Sequence, residues 1–303
     1  MISTAVVESL KRFVPSENIH LQEPMSRHTT FRVGGEADCL IELENEEQLC
    51  GVRNYLSLVG IPFVVLGNGS NVLVSDCGYR GVVLQIGNKM SGIRVEGSRI
   101  VARAGALMSQ VARVALDNGL TGLEFASGIP GTVGGGVVMN AGAYGGEMKQ
   151  VVATVTVVGR EGELLQLDNA SMEFDYRYSV IKSQPLIVTE VVFDLQPGNK
   201  EQIKATMDDL AARRREKQPL EYASAGSTFK RPEGYFAGEL IMNTGLRGFR
   251  IGGAQVSEKH CGFVINTGNA TAADVMDVIQ EVKRRVKDKF DVELEPEVIF
   301  LGW

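Results

Sequence analysis

Residues 128–146 read GIPGTVGGGVVMNAGAYGG, and this stretch constrains the fold more than any other. Almost half of it is glycine, and it contains no Lys, Arg, His or Asp. Glycine loses more backbone freedom on folding than any other residue, so a cluster of glycines needs a local reason. The cluster can serve tight turns and close packing, or it can leave the backbone bare so that a ligand reaches the N–H groups. Both explanations remain open for this stretch taken alone.

A second glycine loop, GNGSN at residues 67–71, lies between two short β-rich runs, FVVLG and NVLVS. It does not match the G-x-G-x-x-G fingerprint of dinucleotide-binding proteins, because position 72 is Val and the flanking elements are both short strands. The chain also has no GK[ST] phosphate loop and no G-x-S-x-G nucleophile elbow. Two bare loops separated by a β-rich segment suit a dinucleotide whose pyrophosphate is held by backbone amides.

The composition limits the class of protein and its partners. With 303 residues, 44% hydrophobic and 22% charged, the chain is long enough for two or three globular domains. The net charge of −6 argues against a broad nucleic-acid surface. The N-terminal MISTAVVESLKRF predicts a short amphipathic helix rather than a signal peptide, and no apolar run approaches the roughly 18 residues of a membrane span. We therefore expect a cytoplasmic protein that neither binds nucleic acid nor inserts into a membrane.

The cysteines and histidines have no metal-site spacing. The four cysteines form no C-x-x-C pair and the three histidines are isolated; they are Cys39, Cys50, Cys77, Cys261, His20, His28 and His260. Zinc and iron–sulfur sites need closely spaced ligands, so no metal site is expected.

Hydrophobic spacing predicts an α+β protein with mixed sheets. The predicted strands are ADCLIEL, FVVLG, NVLVS, GVVLQIG, GIRVEG, RIVARAG, VVATVTVVG, GELLQL, LIVTEVVFDL and the terminal VELEPEVIFLGW. Apolar residues at helical spacing predict helices around 49–59, 107–115, 203–211 and 272–288. Thr271 and Asp274 form a predicted capping box for the last helix. The terminal strand follows a helical segment, so we expect it to return to an earlier sheet.

Three short motifs carry candidate reactive groups, each with an ordinary structural alternative. FDYRYSVIK places Arg177 between two tyrosines, where it can grip a carboxylate or stack on the aromatic rings. SAGSTFKRP presents Ser227 close to Lys230 and Arg231, although serines in such loops often close turns. Glu297, taken alone, is expected to be a solvated acid of an acidic segment.

The motifs occur in the order GNGSN, IPGTVGG-x-x-x-x-NAGAYG, YR-x-S, AGS-x-FKRP and EPEV-x-FLG. Together they resemble the UDP-N-acetylenolpyruvoylglucosamine reductase (MurB) family, the flavoproteins of peptidoglycan synthesis, from TTFRVGG (29–35) to the last strand. The short spacing after YRYS is similar to the second type of this family, which lacks an extra tyrosine-bearing loop. Ile181 and Ala223 stand where the family usually has Phe and Pro, and neither touches the expected chemistry.

The resemblance implies an α+β architecture: a two-subdomain FAD-binding fold of the vanillyl-alcohol-oxidase/PCMH type plus a C-terminal α+β substrate domain. Residues 1–80 plus 292–303 and residues 81–198 are expected to form the two FAD-binding subdomains, and residues 199–291 the substrate-binding domain. FAD is expected to bind non-covalently, because neither FAD loop contains a His or Cys. The expected cofactor-binding residues are Gly67, Asn68, Gly69, Ser70, Asn71, Ile129, Pro130, Gly131, Thr132, Gly134, Gly135, Asn140 and Gly142.

The resemblance also implies the reaction. NADPH would reduce the flavin, whose N5 hydride would add to the β-carbon of the enolpyruvyl group of UDP-N-acetylglucosamine enolpyruvate, giving UDP-N-acetylmuramate. Ser227 matches the donor of the proton to the α-carbon, and Arg177 and Glu297 match the pair that stabilises the enolate-like charge. An ionised Glu beside a carboxylate repels it, so Glu297 is expected to be protonated or paired with Arg177.

Anionic groups on the substrate and on NADPH also need partners. The expected substrate-binding residues are Tyr144, Arg213, Lys217, Lys230, Arg231 and Gln255, with Arg214, Arg215 and His260 as further candidates. The basic residues at 213–217 have an ordinary alternative as a solvated face at the C-terminal end of a helix. A monomer is expected.

Two other functions remain open. Another FAD oxidoreductase of this fold would keep GNGSN and IPGTVGG but would not need AGSTFKRP or EPEV. A non-catalytic nucleotide-binding protein on the same scaffold would be expected to lose Ser227, Arg177 or Glu297, and all three are present.

Overall fold

The computed structural model describes residues 2–303, and contacts divide this chain into two compact units. The first unit comprises the N-terminal segment through Leu21, Cys39–Asn68 and Gly81–Arg214, and the second comprises Gln22–Asp38, Gly69–Arg80 and Arg215–Trp303. These boundaries place most of the helix after residue 199 in the first unit. The functional division into two FAD-binding subdomains and a substrate domain stays a prediction. No helix of residues 2–303 combines the length and the apolar character needed to cross a membrane.

Helices occupy seven segments of residues 2–303. They are α1 (Thr4–Leu10), α2 (Glu46–Leu58), α3 (Met108–Asp117), α4 (Val133–Val138), α5 (Lys200–Lys217), α6 (Ala237–Asn243) and α7 (Ala272–Phe290). The predicted capping box of α7 is confirmed, because the Thr271 hydroxyl accepts from the Asp274 N–H and the Asp274 carboxylate accepts from the Thr271 N–H, both at 3.0 Å. Helix α4 was not expected, and it lies inside the glycine-rich stretch.

Strands occupy nineteen segments of residues 2–303, and each strand run expected from the sequence overlaps one of them. They are β1 (Ile19–Pro24), β2 (Glu36–Glu42), β3 (Phe63–Leu66), β4 (Val72–Val74), β5 (Tyr79–Gln85), β6 (Ile93–Glu96), β7 (Arg99–Arg103), β8 (Leu120–Thr121), β9 (Gly142–Ala143), β10 (Gly146–Glu147), β11 (Val152–Val158), β12 (Leu164–Asp168), β13 (Ile187–Asp194), β14 (Gln196–Pro197), β15 (Ala223–Ser224), β16 (Arg250–Ile251), β17 (Ala254–Val256), β18 (Val264–Asn266) and β19 (Ile299–Leu301). The predicted α+β class is confirmed.

The first unit is built on an antiparallel sheet with the strand order β12-β11-β13-β7-β6. In β13, the fully buried Thr189, Val191 and Phe193 alternate with more exposed residues, as a sheet with one face on the core requires. Helix α3 covers this region with the buried residues Met108, Val111, Ala112, Ala115 and Leu116. Elsewhere in the same unit, β3 pairs in parallel with residues 82–85 of β5.

The second unit is built on an antiparallel sheet with the order β15-β18-β17-β16. Helix α7 packs on this sheet through Val275, Val278, Ile279, Val282 and Val286, all with no exposed surface. The terminal strand β19 pairs in parallel with β4, so that Ile299 lies opposite Val72 and Leu301 opposite Val74. The expected return of the C-terminus to an early strand is therefore confirmed.

Candidate active site

The GNGSN loop leaves β3 and enters β4 with its backbone donors unused. In the described part of the chain, no N–H group of residues 67–70 donates a hydrogen bond to another residue. The Asn68 side chain donates to the Pro130 carbonyl at 2.6 Å, so this loop contacts the IPGTVGG segment within the first unit. A Cβ atom added at Gly67 would lie 2.3 Å from the Thr132 hydroxyl, which explains the glycine there.

Gly69 belongs to the second unit and has the left-handed φ of +57°. A Cβ atom there would lie 1.9 Å from the His28 carbonyl oxygen, and the Thr30 N–H donates to the Gly69 carbonyl at 3.2 Å. The glycine is required by both the backbone angle and the close approach. The unused amides of this loop are donors of the kind that bind anions.

The IPGTVGGG segment uses most of its amides within the protein. The N–H groups of Val133 and Gly134 donate to the carbonyls of Ala106 and Ala104 at 2.8 Å, and the Thr132 hydroxyl caps the first turn of α4. Among residues 2–303, the N–H groups of Gly131 and Thr132 have no acceptor. The structure therefore narrows the expected amide donors of this segment to its first residues.

Two glycines of α4 have a packing role instead. A Cβ atom at Gly134 would lie 3.0 Å from the Ala104 Cβ, and one at Gly136 would lie 3.0 Å from the Met108 sulfur. Gly135 is exposed and would meet nothing closer than 3.5 Å. The packing explanation of the glycine cluster is therefore confirmed for Gly134 and Gly136, and ligand binding by the other residues stays a prediction.

Arg177 lies in a two-residue turn of the first unit. Asp175 and Tyr178 exchange backbone hydrogen bonds of 3.1 Å, and Arg177 takes the left-handed φ of +54°. Its guanidinium carbon lies 5.1 Å from the centre of the Tyr176 ring, which is the stacking alternative, and carboxylate binding stays a prediction. Asn140, from the NAGAYG motif, donates its side-chain amide to the Asp175 carbonyl at 3.1 Å.

Ser227 and Glu297 are brought together in the second unit by backbone hydrogen bonds. The Glu297 N–H donates to the Thr228 carbonyl at 2.9 Å, next to the exposed Ser227. The Asn71 side chain donates to the Glu297 carbonyl at 3.0 Å. The Thr228 hydroxyl is itself buried and accepts from the Val264 N–H at 2.9 Å. The loop that carries Ser227 is therefore tied both to the sheet of this unit and to the terminal segment.

The expected basic residues occupy different environments. The Lys230 ammonium pairs with the Glu295 carboxylate, and Arg231 stacks on Phe236 with 4.0 Å between the guanidinium carbon and the ring centre. Arg213 is exposed and pairs with Asp209 at 2.8 Å. Three further expected residues are placed as follows: Lys217 is exposed, Tyr144 is exposed with φ +54°, and Gln255 donates to the Gly248 carbonyl at 3.2 Å.

Arg214 is the basic residue that sequence reasoning undervalued. Burial lowers the pKa of Arg214, partly offset by Tyr144, and its guanidinium lies against Gly128, where a Cβ atom would come within 2.8 Å. A signal was available, because Arg214 continues the 4-3-4 spacing of Ile203, Met207 and Leu210 along one face of α5. Arg213 lies off that face and is solvated.

Family comparisons agree with the site geometry. The family model described as "FAD binding domain" matches residues 37–168, which include both glycine-rich loops. The model described as "UDP-N-acetylenolpyruvoylglucosamine reductase, C-terminal domain" matches residues 218–301, which include Ser227 and Glu297. The expected FAD-binding fold is confirmed.

Individual relatives extend this match to the whole chain. The UDP-N-acetylenolpyruvoylglucosamine reductase of Caldanaerobacter subterraneus subsp. tengcongensis is 52% identical over 98% of this chain and 98% of its own length. The crystal structure of the corresponding reductase from Thermus caldophilus has a TM-score of 0.80 at 35% identity and covers 94% of this chain and 98% of its own. The crystal structure of p-cresol methylhydroxylase has a TM-score of 0.50 at 17% identity over 64% of this chain and 43% of its own, which shows a shared fold alone. The chain belongs to the UDP-N-acetylenolpyruvoylglucosamine reductase family.

Proposed function

We propose that this protein uses NADPH and bound FAD to reduce UDP-N-acetylglucosamine enolpyruvate to UDP-N-acetylmuramate, a step of peptidoglycan precursor synthesis. The observation that carries the proposal is the 52% identity that runs through both the FAD-binding and the reductase-specific regions of one chain. A different FAD oxidoreductase would not need the second region, which contains AGSTFKRP and EPEV. Such a chain would be an oxidoreductase of cell-wall biogenesis, on which cell shape and division depend.

The residues present fit FAD. The GNGSN loop offers unused N–H groups without any charged side chain, and the start of the IPGTVGG segment adds two more. We assign FAD to the two loops and to one residue that follows them; they are Gly67, Asn68, Gly69, Ser70, Asn71, Ile129, Pro130, Gly131, Thr132, Gly135 and Gly142. Gly134 and Asn140 are left out of this assignment, because the Gly134 N–H and both side-chain N–H groups of Asn140 already donate within the protein. When bound, FAD would supply the hydride that it takes from NADPH. Neither loop contains a His or Cys that could attach it covalently.

Three side chains of the protein are assigned to the reacting end of the substrate. Ser227 is exposed on an anchored loop, as a proton donor to the α-carbon must be. Arg177 carries a fixed positive charge that would stabilise the negative charge developing on the enolpyruvyl carboxylate. Glu297 would complete the carboxylate site; its N–H donates to the carbonyl of Thr228, the neighbour of Ser227, and its own carbonyl accepts from the Asn71 side chain.

The remaining candidate substrate-binding residues differ in the contacts that their side chains already make within the protein. We assign Tyr144, Arg213, Lys217, Lys230, Arg231 and Gln255 to the substrate and NADPH, and add Arg214 to them. Among the cations of α5, Arg214 is the strongest candidate for binding an anionic group of the substrate or of NADPH, because its side chain is packed and desolvated rather than paired at the surface. The cytoplasmic location, the monomeric state and membership of the second family type stay predictions.

The purified protein tests the function directly. A yellow protein whose flavin absorption is bleached by NADPH and restored by UDP-N-acetylglucosamine enolpyruvate supports the proposal. A colourless protein that gains no flavin absorption with added FAD overturns it. Bleaching without restoration by this substrate would indicate a different FAD oxidoreductase.

Substitution of Ser227 tests the mechanism. Ser227→Ala should leave reduction of the flavin by NADPH within about two-fold of wild type and should slow reoxidation by the enolpyruvyl substrate by about 100-fold or more, because a general acid contributes 10²–10⁴-fold. Ser224, three residues earlier and in strand β15, offers the matched control Ser224→Ala, which should change neither half-reaction. Equal losses in both half-reactions of Ser227→Ala would make Ser227 a structural residue.

A further inference from the structure

Asn140 is almost completely buried, with 1% of its surface exposed. Its side-chain amide donates to the Glu147 carboxylate and to the Asp175 carbonyl, both at 3.1 Å. Its side-chain oxygen accepts from the Lys149 N–H at 2.9 Å. Both amide donors are thus used inside the protein, so the side chain has no N–H left for a ligand.

The Asp175 carbonyl lies at the base of the turn that carries Arg177. This carbonyl oxygen accepts two hydrogen bonds of 3.1 Å, one from the Tyr178 N–H and one from the Asn140 side-chain amide. Asn140 therefore binds the same oxygen that closes the turn. The turn is short and left-handed at Arg177, with φ +54°. A turn of this kind keeps its conformation only where its surroundings determine it.

On the C-terminal side of the turn, Ser179 makes a second hydrogen bond to the segment that contains Asn140. Ser179 is fully buried, and its hydroxyl donates to the Val138 carbonyl at 3.0 Å. Residues 138 and 140 therefore hold residues 175 and 179 on either side of Arg177. Val138 is the last residue of α4, so the segment that follows the glycine-rich helix fixes the arginine turn.

We propose that Asn140 is a positioning residue for Arg177, and that its side chain acts through the turn rather than on the flavin. The proposal rests on the carboxylate-binding role proposed above for Arg177. A guanidinium that grips a carboxylate must be placed to a fraction of an ångström, and a displacement of about 1 Å can cost about 100-fold in rate. Asn140 also has the left-handed φ of +41°, which restricts replacements to Gly, Asp or a strained residue.

Two substitutions at this position separate shape from hydrogen bonding. Asn140→Gly tolerates the backbone angle and removes every side-chain hydrogen bond. Asn140→Asp keeps the shape and the acceptor but removes both donors, and it places a charge beside Glu147. Asn169 supplies the matched control, because its amide also donates to two carbonyls, those of Lys149 and Val152 at 2.9 and 2.7 Å, away from the turn.

Hydrogen exchange on the flavin-loaded proteins tests the structural step. Both Asn140 variants should speed exchange of the Asp175 and Tyr178 amides by about ten-fold or more, while Asn169→Asp should leave them at the wild-type rate. Unchanged exchange at these two amides in both Asn140 variants would overturn the proposal. Because this readout does not involve turnover, it is independent of the proposed reaction.

Rapid kinetics tests the functional step. Asn140→Gly should leave FAD retention and reduction by NADPH within about two-fold of wild type and should slow reoxidation by the enolpyruvyl substrate by about 10- to 100-fold. In an Arg177→Ala background, Asn140→Gly should add no further loss, because residues that act as a unit are non-additive. Additive losses, or a selective loss of FAD, would overturn the proposal. A wild-type protein inactive on this substrate would instead refute the proposed function.

Discussion

The two glycine-rich segments of this protein differ in how their backbone N–H groups are used. In the GNGSN loop, the N–H groups of residues 67–70 have no partner within residues 2–303, and added Cβ atoms at Gly67 and Gly69 would overlap neighbouring oxygens. In the IPGTVGGG segment, the amides of Val133 and Gly134 are already donated, and two glycines make room for packed side chains. The first segment keeps its donors free, and the second builds a short helix.

Glycine content alone therefore does not identify a ligand-binding loop. The informative quantity is whether each backbone N–H group has a partner within the protein, because an N–H group without one is available to a ligand or to water. By that measure the GNGSN loop is the stronger FAD candidate, although the longer segment contains more glycine.

Of the substitutions in the two segments, Gly69→Ala should cause the largest loss of stability and of FAD. The added Cβ would meet the His28 carbonyl at 1.9 Å in a left-handed conformation, so we expect a loss of at least about 2 kcal/mol in unfolding free energy, together with loss of FAD. Gly245→Ala is the matched control, since Gly245 has φ +78° with nothing within 4 Å, and only the backbone strain of about 1 kcal/mol should appear. Flavin content and denaturant unfolding measure both; equal losses would contradict the role of close approach.

Alanine at two adjacent glycines of α4 should have opposite effects on the unfolding free energy. Gly134→Ala should lower the unfolding free energy by about 1–3 kcal/mol, because its Cβ would press on Ala104. Gly135→Ala should leave stability unchanged or raise it by up to about 1 kcal/mol through helix propensity, because the site is open. If Gly135 contacts FAD, the dissociation constant for FAD should rise in Gly135→Ala alone. Unchanged FAD affinity there would remove Gly135 from the cofactor site.

Removal of the α4 cap should have a smaller effect. Thr132→Val keeps the side-chain shape but removes the hydroxyl that accepts from the Gly135 N–H at 3.4 Å, so we expect a loss of about 1 kcal/mol in unfolding free energy. Thr132→Ser should restore most of it in the same denaturant titration. A Ser variant as unstable as the Val variant would show that the methyl group, packed near Gly67, matters more than the cap.

The smallest expected effect is a pH dependence that originates outside both segments, since neither contains a titratable side chain. Burial lowers the pKa of His260 in the second unit, so the unfolded chain takes up a proton near pH 6.5 while the folded chain does not. The stability that His260 contributes is therefore present above about pH 6.5 and falls as the pH drops towards its folded pKa. Thermal midpoints between pH 8 and 5 should fall less steeply in His260→Gln; an identical slope would assign the titration to other groups.

Much of the fold was predictable because its signals are local. The capping box and apolar stripe of α7 lie within one helix, and the strand runs are β-rich segments bounded by turn residues. Helix α4 was missed because a run of three glycines lowers helix propensity, whereas its packing on β7 and β13 and the Thr132 cap depend on the tertiary structure. Among the cations of α5, Arg214 was undervalued because the basic cluster was weighed as a whole, although the 4-3-4 spacing of Ile203, Met207 and Leu210 places Arg214 on the apolar face.

The sequence by itself determined the family, the order of the motifs and the identity of the candidate reactive groups, because those depend on residue types at fixed spacing. Only the tertiary structure shows which glycine amides remain free, and that asparagine side chains bind the backbone next to Arg177 and at Glu297. Asn140 reaches the Arg177 turn across 35 positions and Asn71 reaches Glu297 across 226. Hydrogen bonds between segments so far apart in the chain form only when folding brings them together, and no local pattern of residues encodes them.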